Sequence, residues 1–128
     1  MKIAEQVYKG IKSRRRKVVF DMIFDSLGAD CNLDSWLDIG CATGDLIYFA
    51  SKTYTSTRFF GVDISESLIN IASESLGGEN FSFKVNDFFS NPEGRYDVVT
   101  ALAVSGYHSS EIDFLEPLVK SISSNGRL

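Results

Sequence analysis

The chain is poor in the residues that build metal and disulfide sites. Its 128 residues hold one histidine, His108, and two cysteines, Cys31 and Cys41. A lone histidine without a paired cysteine motif argues against a structural zinc site, so no metal is expected. Two thiols with no metal-type pairing read as free thiols of a reducing compartment, which points to the cytoplasm. Long apolar runs are also missing. None approaches the ~20 residues needed to cross a bilayer, and the opening MKIAEQVYKG is too polar for a signal peptide. A basic excess is lacking as well: 13 Lys and Arg stand against 17 Asp and Glu, a net charge of −4. That balance argues against a general nucleic-acid binder. There is no internal repeat and no low-complexity linker.

What is present fits one globular domain: 44% hydrophobic and 23% charged residues. Residues 3 to 27 read as helical, with Ile3, Val7 and Ile11 sharing a face, as do Val18, Met22 and Ile23. Gly10 interrupts the first part and Gly28 caps the end. SWLDI reads as a buried strand ending at Gly40, and LIYFASKTY as the helix behind it. RFFGVD is a second strand. SESLINIASESL is a helix with Ser65 as N-cap and Gly77–Gly78 at its end. FSFKV and YDVVTALAV are the third and fourth strands. EIDFLEPLVKSI is a further helix, in which Pro117 forces a kink or a new turn, and SSNG is a turn. Strands alternating with helices at this spacing build βαβ units, hence an α/β, doubly wound parallel sheet. Ligands of such sheets sit beyond the C-terminal strand ends, where strand order reverses.

The first strand runs straight into DIGCATGD. Gly40 and Gly44 let the backbone turn tightly, and the helix behind offers unpaired N–H groups and partial positive charge. Two ligand classes use such a turn. A dinucleotide such as NAD needs G-x-G-x-x-G with pyrophosphate on the helix N-terminus. Here Ala42 stands at the middle glycine and Asp45 at the third, and Asp38 adds a second carboxylate before the turn. Acids beside a diphosphate repel it. S-adenosylmethionine carries a sulfonium and an ammonium and no phosphate, so the same acids suit it.

LDIGCATG resembles the first motif of the class I S-adenosylmethionine-dependent methyltransferases, acidic-x-Gly-x-Gly-x-Gly: Asp38, Gly40 and Gly44 match, and Ala42 replaces the middle glycine. FFGVDIS resembles the second motif, with Asp63 19 residues after Gly44. VNDFF resembles the third and YDVVTALAV the fourth. The resemblance covers roughly residues 30 to 126. It implies a Rossmann-like fold and S-adenosyl-L-methionine as cofactor. It also implies site residues: Asp38, Gly40, Cys41, Ala42 and Gly44 at the turn, and Asp63 on the ribose hydroxyls. Ile64 would lie against the adenine, Asn86, Asp87 and Phe88 around its edge, and Ala101 and Leu102 at the methionine and methyl end.

Other readings of these residues stay open. Asp38 can be a loop or helix-cap acid, Asp63 the N-cap of the next helix, and Asp87 a turn former. Cys41 has no base beside it and reads as a small turn residue. Residues 13 to 17, SRRRK, read as a solvated helix face, with an anionic acceptor as the other reading. His108, with Tyr107 beside it as a lesser candidate, is either the general base for an acceptor hydroxyl or an ordinary loop residue. The functional reading is methyl transfer to a small-molecule acceptor. Its alternatives are a non-catalytic S-adenosylmethionine-binding module and an NAD(P)-binding oxidoreductase.

In the family SSNGRL would lead into a fifth strand. The sequence therefore reads as a fragment that stops before that strand, with strand order 3-2-1-4. Residues 1–29 would form a helical segment and 30–128 a partial cofactor-binding domain. Strand four would then be an open hydrophobic edge, which invites a homodimer through residues 97 to 104.

Overall fold

The structure, a computed structural model, describes residues 13–28, 32–102 and 111–128. Helix α1, Ser13–Leu27, buries Phe20 and Leu27 and packs Ile23 and Phe24 on the core. Val18 and Met22 face outward. Ile23 therefore does not share their face as expected, because the aromatic stripe one helical step away makes the better core contact. Gly28 N–H donates to the Phe24 carbonyl at 2.9 Å and closes the helix.

Five strands follow: β1 Ser35–Ile39, β2 Arg58–Asp63, β3 Phe81–Val85, β4 Tyr96–Thr100 and β5 Ile122–Arg127. They form one sheet in the order β3-β2-β1-β4-β5, and all pairs are parallel. Helix α2, Asp45–Thr53, links β1 to β2, and α3, Glu66–Ser75, links β2 to β3. Helix α4, Glu111–Lys120, precedes β5. Ser65 caps α3 as expected, its hydroxyl accepting from Leu68 N–H at 3.3 Å. Helix α4 continues through Pro117.

Strand alternation sends successive side chains to opposite faces. Trp36, Phe59 and Val98 meet Leu27 of α1, Ile47 and Ala50 of α2, and Ile69 of α3 on one face. Leu37, Val62 and Val99 meet Phe88 and Leu118 of α4 on the other. Helices thus cover both faces, as a parallel sheet requires. Trp36 is fully buried, with rings of Tyr54 and Phe59 both 5.7 Å from its own.

Two expectations about the chain's end are corrected. Residues 122–127 form a fifth strand, so the order is 3-2-1-4-5 and not 3-2-1-4. Strand β4 lies between β1 and β5, which covers the edge expected to be open over Tyr96 to Val98. The expected SSNG turn is a bulge inside β5: Tyr96 pairs with Ile122 but Val98 pairs with Arg127. Turn-type residues remain in a strand because β4 supplies the hydrogen bonds and the bulge absorbs the surplus. A Cβ at Gly126 would sit 2.9 Å from the Tyr96 and Asp97 carbonyls and overlap the Ile122 side chain, so this approach needs glycine. Asp97 anchors both neighbours. It accepts from Asp34 N–H at 2.8 Å beside β1 and from the Ser123 hydroxyl at 2.8 Å on β5.

Candidate functional site

The C-terminal ends of β1, β2, β3 and β4 lie side by side. The sheet order reverses between β1 and β4, the crevice where such folds bind ligands. The turn after β1 is built from short residues. Gly40 and Cys41 N–H groups both donate to the Val62 carbonyl, at 2.8 and 3.0 Å. Ala42 then takes a left-handed φ of 51°, and its N–H donates to Asp63 Oδ2 at 3.0 Å. That bond holds a conformation an alanine avoids when free. Gly44 follows with φ 84°. A Cβ there would sit 2.8 Å from Leu76 Cδ1 and 3.4 Å from the Phe83 ring, so glycine is required twice over. Helix α2 starts from it, with Asp45 in its first turn.

Asp63 ends β2 and ties two segments together. Oδ2 takes the Ala42 N–H, and Oδ1 takes the Ser65 N–H at 2.9 Å, ahead of α3. Its main-chain carbonyl accepts from Asn86 N–H at 3.0 Å, which brings the start of the third motif alongside. Ile64, next in the chain, is 70% exposed. An isoleucine this open beside a polar turn offers a flat apolar contact.

Asp38 is 4% exposed and Asp45 6%. The Asp38 carboxyl is pushed up to about 7, chiefly by burial; the Thr100 hydrogen bond opposes this, and the Asp45 and Asp63 charges add to it. Thr100 Oγ1 donates to Asp38 Oδ1 at 2.8 Å across the β1–β4 switch, and Trp36 Nε1–H donates to the same hydroxyl at 3.1 Å. The Cys41 thiol is pushed well above its usual range by burial and by Asp38 and Asp63. A thiol so disfavoured as thiolate is a packing residue and not a nucleophile.

The remaining expected site residues divide. Asn86 sits at the strand end, its side-chain amide donating to the Asn91 carbonyl at 3.1 Å. Asp87 is exposed and accepts from the Ser90 hydroxyl at 2.8 Å, the turn role. Phe88 has its ring in the core beside Leu37, Ile39 and Val99. Ala101 is half-buried against that core, and Leu102 is 38% exposed just past β4. Tyr107, His108 and Cys31 lie outside the described residues. Among the described residues no group of three His, Cys, Asp or Glu is arranged to hold a metal.

Three contributors escaped the sequence reading. Thr100 became visible only once β4 was registered on β1, opposite Asp38. Trp36 was accessible in principle, because residues two apart on a strand share a face. Gly61 carried the usual signal of a glycine inside a strand. A Cβ there would sit 2.6 Å from Phe83 and 2.9 Å from Cys41 Sγ, so the turn could not pack on β2.

A family model described as a methyltransferase domain matches residues 37–128. The chain belongs to this methyltransferase family. The malonyl-[acyl-carrier protein] O-methyltransferase 1 of Ilyobacter polytropus is 27% identical over 94 residues, 72% of this chain and 35% of its own. PKMT2 of Rickettsia typhi, solved in complex with AdoHcy, is 27% identical with a TM-score of 0.64, over 73% of this chain and 20% of its own. Coclaurine N-methyltransferase, solved with N-methylheliamine and SAH, superposes with a TM-score of 0.76 at 20% identity, over 92% of this chain and 36% of its own. That last similarity speaks to the fold. The methyltransferase domain seen here spans roughly a third of the length of the curated relatives it matches.

Proposed function

We propose that this chain carries the S-adenosylmethionine-binding region of a methyltransferase that acts on a small-molecule acceptor. The observation that carries the reading is the acidic frame of the glycine turn: Asp38, Asp45 and Asp63 surround a tight turn at the switch point of the sheet. The donor and acceptor set fits the cofactor. Among the described residues Asp38 accepts from Thr100 alone, so one carboxylate oxygen remains for a cationic group. The Asp63 carboxylate uses two of its roughly four acceptor positions on backbone N–H groups and keeps the rest for a pair of ribose hydroxyls. Ile64 gives the nucleobase an apolar face. PKMT2, at 27% identity, was solved with the demethylated product form of this cofactor.

S-adenosylmethionine supplies an activated methyl on a sulfonium, so the cofactor carries the hard chemistry. The chain's own residues bind and orient. Asp38 and Asp45 offset the cofactor's positive charges in a site largely shielded from water, where such attraction is stronger than in solvent. Gly40, Cys41, Ala42 and Gly44 shape the floor of the turn. Asp63 fixes the ribose and the turn at once. Asn86, Asp87 and the Phe88 N–H would edge the adenine, and Ala101 and Leu102 the methyl end. Holding the reacting centres in line can supply several kcal/mol of the barrier. An amine or carbon acid acceptor needs little more. A hydroxyl acceptor needs a base, and His108, with Tyr107 second, is our candidate for that proton. The small-molecule acceptor is our own inference, supported by the 27% identical relative whose name gives a carrier-bound malonyl group as its acceptor.

The test is calorimetric titration of the chain with S-adenosylhomocysteine, alongside Asp63→Ala. Saturable binding that the substitution weakens supports the reading. Absence of binding by the folded wild-type chain overturns it.

A further inference from the structure

Asp38 is the most deeply buried acid of the turn, yet it sits among like charges. Its titratable surroundings are the carboxylates of Asp45 at the start of α2 and Asp63 at the end of β2, and the Cys41 thiol of the turn. None of these favours a charge on Asp38. One neighbour does, and it comes from β4. Thr100 is directly opposite Asp38 in the strand register. Its hydroxyl has one proton and could send it either to Asp38 Oδ1 at 2.8 Å or to the Leu37 carbonyl at 3.4 Å. The shorter bond wins on geometry. The Trp36 indole N–H, a donor only, occupies an acceptor position of the same oxygen at 3.1 Å. Trp36 is fully buried and wedged among aromatic rings, so this donor cannot swing away. The indole thus takes one of the two acceptor positions of the hydroxyl and favours one hydrogen-bond direction: indole to hydroxyl, hydroxyl to carboxylate.

We propose that Thr100 is a positioning residue for the cofactor, its hydroxyl aimed by the Trp36 indole so that it favours the ionised form of Asp38 and leaves one carboxylate oxygen for the ligand's cationic end. The inference rests on the cofactor reading above. It assigns to β4, on the far side of the topological switch, a part in binding that the turn residues alone do not perform. A hydrogen bond donated to the charged form of an acid favours that form, which is the opposite of what burial and the neighbouring acids do here. Without Thr100, Asp38 would stay protonated to higher pH and would present a neutral carboxylic acid to a cation.

The experiment is a carbon-13 NMR titration of the Asp38 side chain in the ligand-free full chain, together with calorimetric titration of S-adenosylhomocysteine across pH. It compares wild type, Thr100→Val and Thr100→Ser, with Thr100→Ala in place of valine if that variant does not fold. In Thr100→Val the Asp38 midpoint moves upward by roughly one pH unit, the size expected for one lost hydrogen bond to a charged acceptor. The pH profile of ligand affinity moves with it, and the affinities of the two proteins converge at alkaline pH. Thr100→Ser keeps the wild-type midpoint. An unchanged Asp38 midpoint in Thr100→Val, with ligand still bound, makes Thr100 a packing residue and overturns the inference alone. Failure of wild type to bind S-adenosylhomocysteine at any pH overturns the cofactor reading, and this proposal with it.

Discussion

Asp38 and Asp63 stand at the ends of neighbouring strands and show how differently one residue type behaves in two environments. Asp63 is half-exposed and satisfied by two backbone N–H groups. Replacing it by alanine removes those acceptors and the ribose partner together, and should weaken S-adenosylhomocysteine binding by about 1–3 kcal/mol, measured by calorimetry. Asp38 is buried and titrates near 7 instead of 3.8. Its folded value is raised, so the folded protein holds a proton that the unfolded chain has released between about pH 4 and 7. Stability therefore falls as pH rises through that window, by a few kcal/mol at most on an order-of-magnitude basis. Asp38→Asn should flatten this slope in denaturant melts of the ligand-free protein and raise stability above pH 7, while it weakens ligand binding. A cationic ligand favours the ionised acid, so affinity should rise with pH over the same window. Ala42, at φ 51°, is the third residue with a defined outcome. Ala42→Gly relieves a left-handed alanine worth about 1–2 kcal/mol and loses part of that to chain entropy. The expected result is a stability gain of up to ~1 kcal/mol with ligand affinity retained.

At the scale of elements, strand β5 depends on side-chain anchors because its own ladder is interrupted by the bulge. Asp97 supplies one to Ser123 of β5 and another to the backbone entering β1. These bonds, Ser123 first, hold its carboxyl below the ordinary range. A depressed folded value means the contribution is present at neutral pH and lost as pH falls below the usual carboxylate range. Asp97→Ala should cost on the order of 1–2 kcal/mol at pH 7 and progressively less as acid protonates the carboxyl. Hydrogen exchange should show the loss concentrated in β5. The same strand shows where sequence reading stops. SWLDI and RFFGVD are legible because inner strands of a parallel sheet are buried and read as apolar runs, and FSFKV, the edge strand, because Phe81 and Phe83 alternate with exposed Ser82 and Lys84. SSNGR has no such run. Its strand state comes from a partner 26 residues away, Asp97 to Ser123, and from a glycine seated on the β4 backbone. No local propensity encodes either.

At the scale of the molecule, the glycines and acids that the sequence pattern singles out gather at the β1–β4 switch of the sheet, because turn glycines and strand-end acids are local signals. The pattern missed the cross-sheet partner. Thr100 lies 62 positions from Asp38, and only the β1–β4 register makes them neighbours. The open β4 edge on which a dimer was expected is taken up by β5 for a related reason: the covering strand is hidden in turn-type residues. With β4 between two partners, substituting Val99 with a charged residue should unfold the domain, since Val99 is fully buried, and should not dissolve a dimer. Analytical ultracentrifugation combined with circular dichroism distinguishes the two outcomes.

The central claim is that acids framing the glycine turn select a phosphate-free nucleoside with an ammonium group over a dinucleotide. Side-by-side calorimetry at pH 8, with S-adenosylhomocysteine and NAD as titrants, tests it most directly. The account predicts saturable, enthalpically resolved binding of S-adenosylhomocysteine and no binding of NAD, with Gly44→Ala abolishing the first. Saturable NAD binding that Gly44→Ala abolishes, with S-adenosylhomocysteine inert, would contradict it.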